Sequence, residues 1–533
     1  MLRYRTFINY FRTGRDQLLS ALKSVEMNEY NRKACLANTR LDVVKFIMDW
    51  IADESSDHRS VLWLHGLAGS GKSTLTTTIA WMMQDLHRLG AFFFFDRDVP
   101  ERNVATLIRT LAYQLALFDA HIGETMSRIV ESNPRIAEKP LTFQCSSLLS
   151  ATALQSVKWL GGPIILVIDG LDECGSEKDR KILMQALSKC FSDLPPFIRV
   201  IVASRDEPDI QQELECHPDV YSYLLDIDSA NNHEDISKFL RHRFLEIRKA
   251  SKYLPLSIDW PGDDNISALA TYAAGLFVWA STACLYIESH NPDRRLNELI
   301  TETSIDTSSE PFANLDSLYK TGIQSSGRWA DSFFRSDCCD IFGAILCARI
   351  PLSCSMIDSL IPLSQKCLPS ISRLGCVLRW GDREGIRILH PSFHDYLSKR
   401  CSTEPWSINL ELHNEKLALH CIELLDSTLR ENICGLTLPD PEPKETLPEA
   451  ISYACKFWAE HICLISHTAD NIVNQIYKFL DQHLIHWMEA MAVLKSHNLT
   501  IQSLQNLLLW LQVCHATSLP DARNLPMSSR DLH

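Results

Sequence analysis

The first 215 residues contain short runs in which nearly every position is apolar, a pattern typical of strands buried on both faces of a sheet. The predicted strands are residues 61–65 (VLWLH), 90–95 (GAFFFF), 164–168 (IILVI) and 199–203 (RVIVA). Apolar residues at helical spacing occur before and between these runs. The predicted helices are residues 39–51, 73–86, 104–118 and 178–190. Strands that alternate with helices in this way predict an α/β fold with a parallel sheet covered on both faces.

The pattern changes after about residue 215, where the strand signal fades and helical spacing dominates. Residues 234–248, 266–287 and 413–429 are predicted to be helical. The apolar run at 272–287 is shorter than the roughly 18–20 residues that a membrane span needs, so we interpret it as a buried core helix and expect no transmembrane segment. The C-terminal part is therefore expected to be mostly helical, with linkers at residues 301–310 and 439–443.

Composition and charge narrow the class of protein. Of the 533 residues, 46% are apolar, and 52 basic against 66 acidic side chains give a net charge of −14. The apolar content excludes a wholly disordered chain, and the acid excess argues against nucleic acid as a partner. The eighteen cysteines form no C-x-x-C pair, and the N-terminus lacks the apolar core of a secretory signal, so we expect a cytoplasmic protein with reduced thiols.

Residues 66–73 read GLAGSGKS and match the phosphate-binding pattern G-x-x-x-x-G-K-[ST] between a predicted strand and a predicted helix. Glycines let such a loop curl so that its N–H groups face phosphate oxygens, and the helix N-terminus adds partial positive charge. Lys72 is predicted to bind the outer phosphates, and the hydroxyl of Ser73 to bind Mg²⁺. The other predicted nucleotide-binding residues of the loop are Gly66, Leu67, Ala68, Gly69, Ser70, Gly71 and Thr74.

A second motif, IILVIDGLDE, occupies residues 164–173. A buried strand that ends in Asp is where a P-loop sheet holds its magnesium-side carboxylate, so Asp169 is predicted to lie beside Ser73. Asp172 and Glu173 follow, and one of them is a candidate to orient or deprotonate the attacking water. Arg205 follows the fourth predicted strand and is a candidate to contact the γ-phosphate, with a plain surface arginine as the alternative.

Taken together, the segments HGLAGSGKST, IILVIDGLDE and VIVASRDEPD resemble those of NACHT-type NTPases, within the STAND class of signal-transduction ATPases. Further matches indicate the large fungal NACHT group, and the resemblance covers about residues 30–500. These matches are Cys35 with Thr39–Arg40, AAGLFVWA at 273–280, LDSLY at 315–319, LHPSFHDYL at 389–397 and YACKFWAEH at 453–461.

The resemblance, together with the polar termini, implies an α/β P-loop domain followed by mostly helical domains that include a winged helix. The expected segments are an N-terminal helical and polar segment (1–34), a nucleotide-binding domain (35–215), a helical domain (216–305), a winged-helix-like domain (306–402), a C-terminal helical domain (403–517) and a disordered tail (518–533).

The resemblance also implies roles for residues outside the P-loop. It implies that Asp172 is the catalytic acid and Arg205 the sensor arginine. Gly275 and Phe277 match the segment that lies over the adenine, although many relatives have Pro where this chain has Phe277. His390 matches the winged-helix histidine that touches the β-phosphate of ADP in a closed state.

The function implied is a switch controlled by ATP and ADP, with slow hydrolysis and self-assembly into a homo-oligomer on activation. For fungal relatives the implied theme is non-self recognition or regulated cell death, with an effector or sensor protein as a further partner. ADP gripped by both Lys72 and His390 would hold the domains closed, because a ligand favours the state that it binds better. An AAA+-like ATPase that does mechanical work, and an interaction scaffold in which nucleotide is structural, remain as alternatives.

Overall fold

A computed structural model describes residues 19–27, 32–53, 55, 59–250, 256–302, 312–381, 385–435, 446–466 and 470–518. The chain forms two compact units, with the division between Leu318 and Tyr319. The predicted N-terminal segment 1–34, the two predicted linkers at 301–310 and 439–443, and the predicted tail 518–533 lie largely outside the described residues.

The first unit is built on a five-stranded sheet in which each strand runs parallel to its neighbours. Its strands are β1 (Val61–His65), β2 (Leu89–Phe94), β3 (Ile164–Asp169), β4 (Ile198–Ser204) and β5 (Val220–Leu224). Their order across the sheet is β2-β3-β4-β1-β5. The predicted α/β fold with a parallel sheet is therefore confirmed, and β1 to β4 are the four predicted strands.

The strand β5 corrects the expectation that strands end near residue 215. It pairs with β1 in parallel, from Val220 beside Val61 to Leu224 beside His65. In β5 only Val220 is buried, whereas Tyr221 is 40% and Leu224 59% exposed. A strand that is not buried on both faces lacks the continuous apolar run on which the other four strands were predicted.

Helices cover both faces of this sheet. The helices that pack on it are α1 (Leu41–Ala52), α2 (Lys72–Asp85), α3 (Val104–Phe118), α4 (Ala120–Ser132), α5 (Leu141–Leu148), α6 (Glu177–Phe191) and α7 (Pro208–Leu214). The same unit continues with α8 (Ala230–Ala250), α9 (Asp263–Tyr272), α10 (Phe277–Glu288) and α11 (Pro292–Glu302). Successive strand residues point to opposite faces. Trp63 and Phe93 accordingly pack in one hydrophobic cluster with α3 and α6, whereas Phe92 packs in another with α1 and α2.

The single helix predicted over residues 266–287 is wrong at its centre, where residues 273–276 separate α9 from α10. Ala274 and Gly275 adopt left-handed φ angles of 45° and 77° there. A Cβ at Gly275 would lie 2.2 Å from the carbonyl oxygen of Ile227, so only glycine fits this close approach. The helix α10 is largely buried, which agrees with its prediction as a core helix.

The region from residue 313 onwards is mostly helical. Its elements include α12 (Ala313–Gln324), α13 (Ser332–Cys347), α14 (Cys354–Leu360), α15 (Cys367–Ile371), β6 (Leu378–Arg379), β7 (Arg387–Ile388), α16 (Pro391–Asp395), α17 (Leu410–Thr428), α18 (Glu449–Ile462), α19 (Asp470–Val493) and α20 (His497–Ser518). The two short strands β6 and β7 follow α12 to α15 and pair antiparallel, with Leu378 beside Ile388 and Arg379 beside Arg387. The winged-helix-like domain predicted over residues 306–402 stays a prediction. Across the described ranges, no helix combines the length and the apolar character that crossing a bilayer requires.

The sheet core predicts a large stability cost for Phe93→Ala. Phe93 is fully buried and packs edge-on against Phe95, with 4.9 Å between ring centroids. Removing a buried aromatic ring costs about 3–5 kcal/mol, because both burial and packing are lost. The free energy of opening, measured by hydrogen exchange at the amides of β1 to β4, should fall by that amount.

The control is Leu160→Ala, at a leucine that is 97% exposed. This exposed substitution should change the same free energy by no more than about 0.5 kcal/mol. Equal effects of the two substitutions would contradict the placement of Phe93 in the core.

Candidate functional site

The loop between β1 and α2 curls through three glycines. Gly66, Gly69 and Gly71 have φ angles of 141°, 82° and 98°, a region that side chains with a Cβ rarely adopt. At Gly66, a Cβ would also lie 3.3 Å from the carbonyl oxygen of Leu225. The sequence therefore folds here into a tight loop at the carboxyl end of a buried strand, with the helix N-terminus directly after it.

Lys72 is the first residue of α2, and its ammonium group lies back over the loop. Its Nζ donates to the carbonyl oxygens of Gly66 at 2.7 Å and Leu67 at 2.8 Å. Burial by the surrounding protein lowers the pKa of Lys72 to about 8, although Asp172 and Asp169 raise it. The lysine therefore remains mostly protonated at pH 7 and carries its charge inside the loop.

Asp169 ends β3 and is 2% exposed. Its Oδ2 forms an ion pair with Nη2 of Arg32, and the same nitrogen donates to the carbonyl oxygen of Ser73 at 3.3 Å. Asp169 and Ser73 therefore lie close together, joined through Arg32. The second carboxylate oxygen, Oδ1, is buried and has no hydrogen-bond partner among the described residues.

These two residues offer oxygen donors that suit a magnesium ion. Mg²⁺ in nucleotide sites is bound through one or two carboxylate or hydroxyl oxygens together with phosphate oxygens. The unpartnered Oδ1 of Asp169 and the exposed Ser73 supply donors of that kind at the start of α2. The residues present thus fit the metal that the sequence predicts.

Asp172 and Arg205 are paired with each other. The backbone N–H of Arg205 donates to Oδ1 of Asp172 at 3.0 Å, and its Nε lies 3.1 Å from Oδ2. Asp172 lies on the 3₁₀ turn Leu171–Glu173, which follows the left-handed Gly170 at the end of β3. The structure therefore brings the candidate catalytic acid and the candidate sensor arginine into one ion pair.

The surroundings of Glu173 favour the protonated form of its carboxyl. Burial and the nearby charge of Asp172 together raise the pKa of its carboxyl to about 8, although Arg97 and Arg205 act in the opposite direction. A carboxyl that is mostly protonated at pH 7 is a hydrogen-bond donor there and a poor general base. Of the two candidates, Asp172 is thus better suited to orient an attacking water.

The segment at the start of α10 lies directly against the loop. The N–H of Val278 donates to the carbonyl oxygen of Gly69 at 3.1 Å. Phe277 faces Gly71, because a Cβ there would lie 3.8 Å from a ring carbon of Phe277. The structure therefore brings this segment, which the resemblance places over the adenine, into contact with the loop.

Arg40 belongs to the same cluster, and no role was predicted for it. Its guanidinium donates to the carbonyl oxygen of Ser70 at 2.6 Å and lies 4.9 Å from the ring centroid of Phe277. The only sequence signal for Arg40 was its place in the Thr39–Arg40 match. No sequence pattern indicated a role for Arg32, because its partner Asp169 lies 137 positions away along the chain.

His65 is another residue that sequence reasoning missed. Its imidazole Nδ1 pairs with Asp206, and its Nε2 lies 2.8 Å from Oγ of Ser222 on β5. The ring also stacks on Trp63, with 4.0 Å between centroids. His65, the residue before Gly66, therefore links the end of β1 to β5 and to the loop that carries Arg205.

His390 belongs to the second unit, where it caps the short helix α16. Its Nδ1 accepts from the N–H of Ser392 at 3.1 Å and lies 2.7 Å from the Ser392 hydroxyl oxygen. That hydroxyl is also 2.8 Å from the Tyr319 hydroxyl. The predicted contact of His390 with ADP stays a prediction.

Known proteins with similar sequences support the recognition of the nucleotide-binding domain. Residues 45–205 match the family described as Nephrocystin 3, N-terminal. The chain is also 23% identical over 486 residues to "Vegetative incompatibility protein HET-E-1" of Podospora anserina. That match covers 83% of this chain but 34% of the relative, so the chain spans about a third of the relative's length. The resemblance to fungal NACHT proteins is thus confirmed, and a P-loop domain of this kind implies nucleotide binding.

A solved structure, "Structure of Drosophila ORC bound to GC-rich DNA and Cdc6", is also similar in part. The match covers 97% of this chain and 74% of that chain, at 14% identity and a TM-score of 0.24. At that score the likeness supports no inference about this chain.

The raised pKa of Glu173 predicts how stability depends on pH. The folded chain binds this proton more tightly than the unfolded chain, in which the pKa lies near its ordinary 4.5. Raising the pH from 5 to 7 therefore costs stability, and Glu173→Gln should remove that cost, on the order of 1 kcal/mol or more. Lys72, with a pKa of about 8, titrates above this window.

Urea unfolding of both proteins at pH 5, 6 and 7 measures this difference. We expect the wild-type free energy of unfolding to fall more steeply with pH than that of the variant. Parallel curves over this range would show that Glu173 is ionised in the folded chain.

Proposed function

We propose that this chain, a relative of HET-E-1 with a NACHT-type P-loop domain, is a signalling switch controlled by ATP and ADP. The proposal includes slow ATP hydrolysis, self-assembly controlled by the bound nucleotide, and a cytoplasmic role in non-self recognition or regulated cell death. The observation that carries it is the convergence of the glycine loop, Lys72, Asp169 and the Asp172–Arg205 pair at the carboxyl end of one sheet.

The proposed nucleotide site uses groups that already face the loop. The amides of residues 66–73 and the ammonium of Lys72 would hold the phosphates. The hydroxyl of Ser73 and Oδ1 of Asp169 would hold Mg²⁺, which supplies charge neutralisation to the phosphates when bound. Phe277 and Arg40 would border the base, because both lie at the same side of the loop.

Slow hydrolysis is supported by the contacts of Asp172. Both of its carboxylate oxygens are engaged by Arg205, one by the backbone N–H and one by the side chain. Orienting a water would require Asp172 to give up one of these hydrogen bonds, at a cost because the group is buried. A site arranged in this way favours holding nucleotide over rapid turnover.

Coupling of the site to the helical region is supported by the contact of α10 with the loop. Because Val278 bonds to Gly69, a change in the loop backbone on nucleotide exchange would move the start of α10. We further propose that the segments 216–305, 306–402 and 403–517 act as separate domains, and that His390 contacts the β-phosphate of ADP in the closed state. Nucleotide would then control assembly by binding the closed and open states differently.

The first test of this function is Lys72→Ala, which should weaken the binding of both Mg·ADP and Mg·ATP at least about 100-fold. The variant should still fold, because it removes a charge that burial disfavours, as the lowered pKa of Lys72 indicates. Isothermal titration calorimetry measures both affinities. Lys45→Ala, at an exposed lysine of α1, is the control and should bind like the wild type.

The same proteins separate the alternatives. An assembly that persists unchanged in Lys72→Ala would favour an interaction scaffold, whereas turnover near ~1–10 s⁻¹ would favour an ATPase that does mechanical work. A wild-type chain that binds neither nucleotide would refute the proposed function.

The second test is His390→Ala. If His390 contacts the β-phosphate only in the ADP-bound closed state, its loss should weaken ADP binding about tenfold and ATP binding less than about twofold, because one charge-assisted hydrogen bond is removed from one state. Multi-angle light scattering with ADP present should then show more oligomer than in the wild type.

The matched control is His394→Ala, at a histidine four residues along on α16. It should leave the ratio of ADP to ATP affinity unchanged. An identical effect of the two histidine variants would indicate damage to α16 and count against a role for His390 in ADP binding.

A further inference from the structure

Arg32 is held at the end of β3 by contacts on several sides. Its Nη2 pairs with Oδ2 of Asp169 and donates to the carbonyl oxygen of Ser73 at 3.3 Å. Its Nε donates to Oγ1 of Thr77 at 3.0 Å. The guanidinium also lies 4.4 Å from the ring centroid of Phe94, a favourable cation–π contact. The side chain is only 18% exposed, so the ion pair is shielded from solvent.

The backbone after Arg32 is fixed to the same helix. The N–H of Cys35 donates to Oγ1 of Thr78 at 2.8 Å, one turn along α2 from Ser73 and Thr74. Residues 32–35 therefore lie along the first turns of α2, the helix that begins with Lys72. This short run of chain, the 32–35 segment, is anchored by the side chain of Arg32 at one end and by the amide of Cys35 at the other.

The positive charge of Arg32 at Asp169 disfavours the binding of a second cation at the same carboxylate. The guanidinium neutralises a carboxylate that is 2% exposed, and like charges a few ångströms apart repel strongly where little water screens them. The guanidinium repels a metal ion whether the metal replaces Arg32 at Oδ2 or binds the unpartnered Oδ1 beside it. In both cases the metal meets a carboxylate whose charge is already balanced.

We propose that the guanidinium of Arg32 weakens the binding of Mg²⁺ at Asp169. In turn, the binding of Mg²⁺ weakens the contacts that hold the 32–35 segment on α2. The inference rests on the proposed function, in which the loop takes a nucleotide with Mg²⁺. The second half follows from the first, because a coupling free energy between two ligands of one site is reciprocal. Nucleotide loaded with metal thereby changes the chain on the N-terminal side of the P-loop domain.

The first experiment titrates Mg²⁺ into the full chain saturated with a fluorescent ADP analogue. Arg32→Ala should lower the Mg²⁺ concentration at half-saturation about tenfold, because a like charge is removed from beside the metal. Lys33→Ala is the matched control, since it removes the same charge from the next, exposed position. It should stay within about twofold of the wild type, because an exposed charge is screened by solvent.

In EDTA, Lys33→Ala should bind the ADP analogue like the wild type, and Arg32→Ala should bind it no more tightly than the wild type, because the substitution removes a positive charge beside the proposed phosphate site. A lower half-saturating Mg²⁺ concentration in Arg32→Ala would then reflect metal binding and not tighter nucleotide binding. An unchanged or higher half-saturating Mg²⁺ concentration in Arg32→Ala would overturn the proposal. A wild type that binds no ADP analogue, with or without Mg²⁺, would instead refute the proposed function itself.

The second experiment uses the wild type alone and stays decisive if Arg32→Ala fails to fold. Hydrogen exchange is measured at the amide of Cys35 with ADP in EDTA and with ADP in Mg²⁺. The proposal expects exchange to be at least about fivefold faster with Mg²⁺, because the segment that carries this amide is released more often. Equal or slower exchange with the metal would overturn the proposal.

Discussion

Charge balance at the carboxyl end of the sheet is the constraint on which the rest of the site depends. Three acidic side chains, Asp169, Asp172 and Glu173, lie within five positions at the end of β3, in a region that is largely buried. Burial of an unpaired charge is costly, so each must be neutralised or paired. Asp169 pairs with Arg32, Asp172 pairs with Arg205, and Glu173 keeps its proton. Binding a nucleotide and a metal there would consequently exchange partners among side chains whose charges are already balanced.

The sheet order explains why these groups meet. With β1 between β4 and β5, and β3 on the far side of β4, the loops after β1, β3 and β4 leave from the same edge. The glycine loop follows β1, the acidic turn follows β3, and Arg205 follows β4. Hydrogen bonds across these ends, such as Trp63 to Ser204 at 2.8 Å, hold neighbouring strands in register below the site. The contact of His65 with Ser222 connects β1 to β5 in the same way.

Much of this arrangement could be predicted from the sequence, since burial on both faces and glycine spacing are local signals. The bounds of β1 and α3 were predicted to the residue, and the loop and acidic motifs identified the end of the sheet at which the site lies. The strand β5 was not predicted because it is half exposed. The break before α10 was not predicted because it depends on a contact with Ile227. The roles of Arg32 and Arg40 were not predicted for a related reason, since a single arginine forms no recognisable sequence pattern until its distant partner is known.

The lowered pKa of Lys72 has a consequence for reactions with electrophiles. An ammonium group with a pKa of about 8 is deprotonated in about one-tenth of molecules at pH 7, far more than an ordinary surface lysine. Only the neutral amine is nucleophilic. A mild acylating reagent small enough to enter the loop would therefore meet a neutral amine near neutral pH, and nucleotide phosphates, by drawing the proton back, would protect this position.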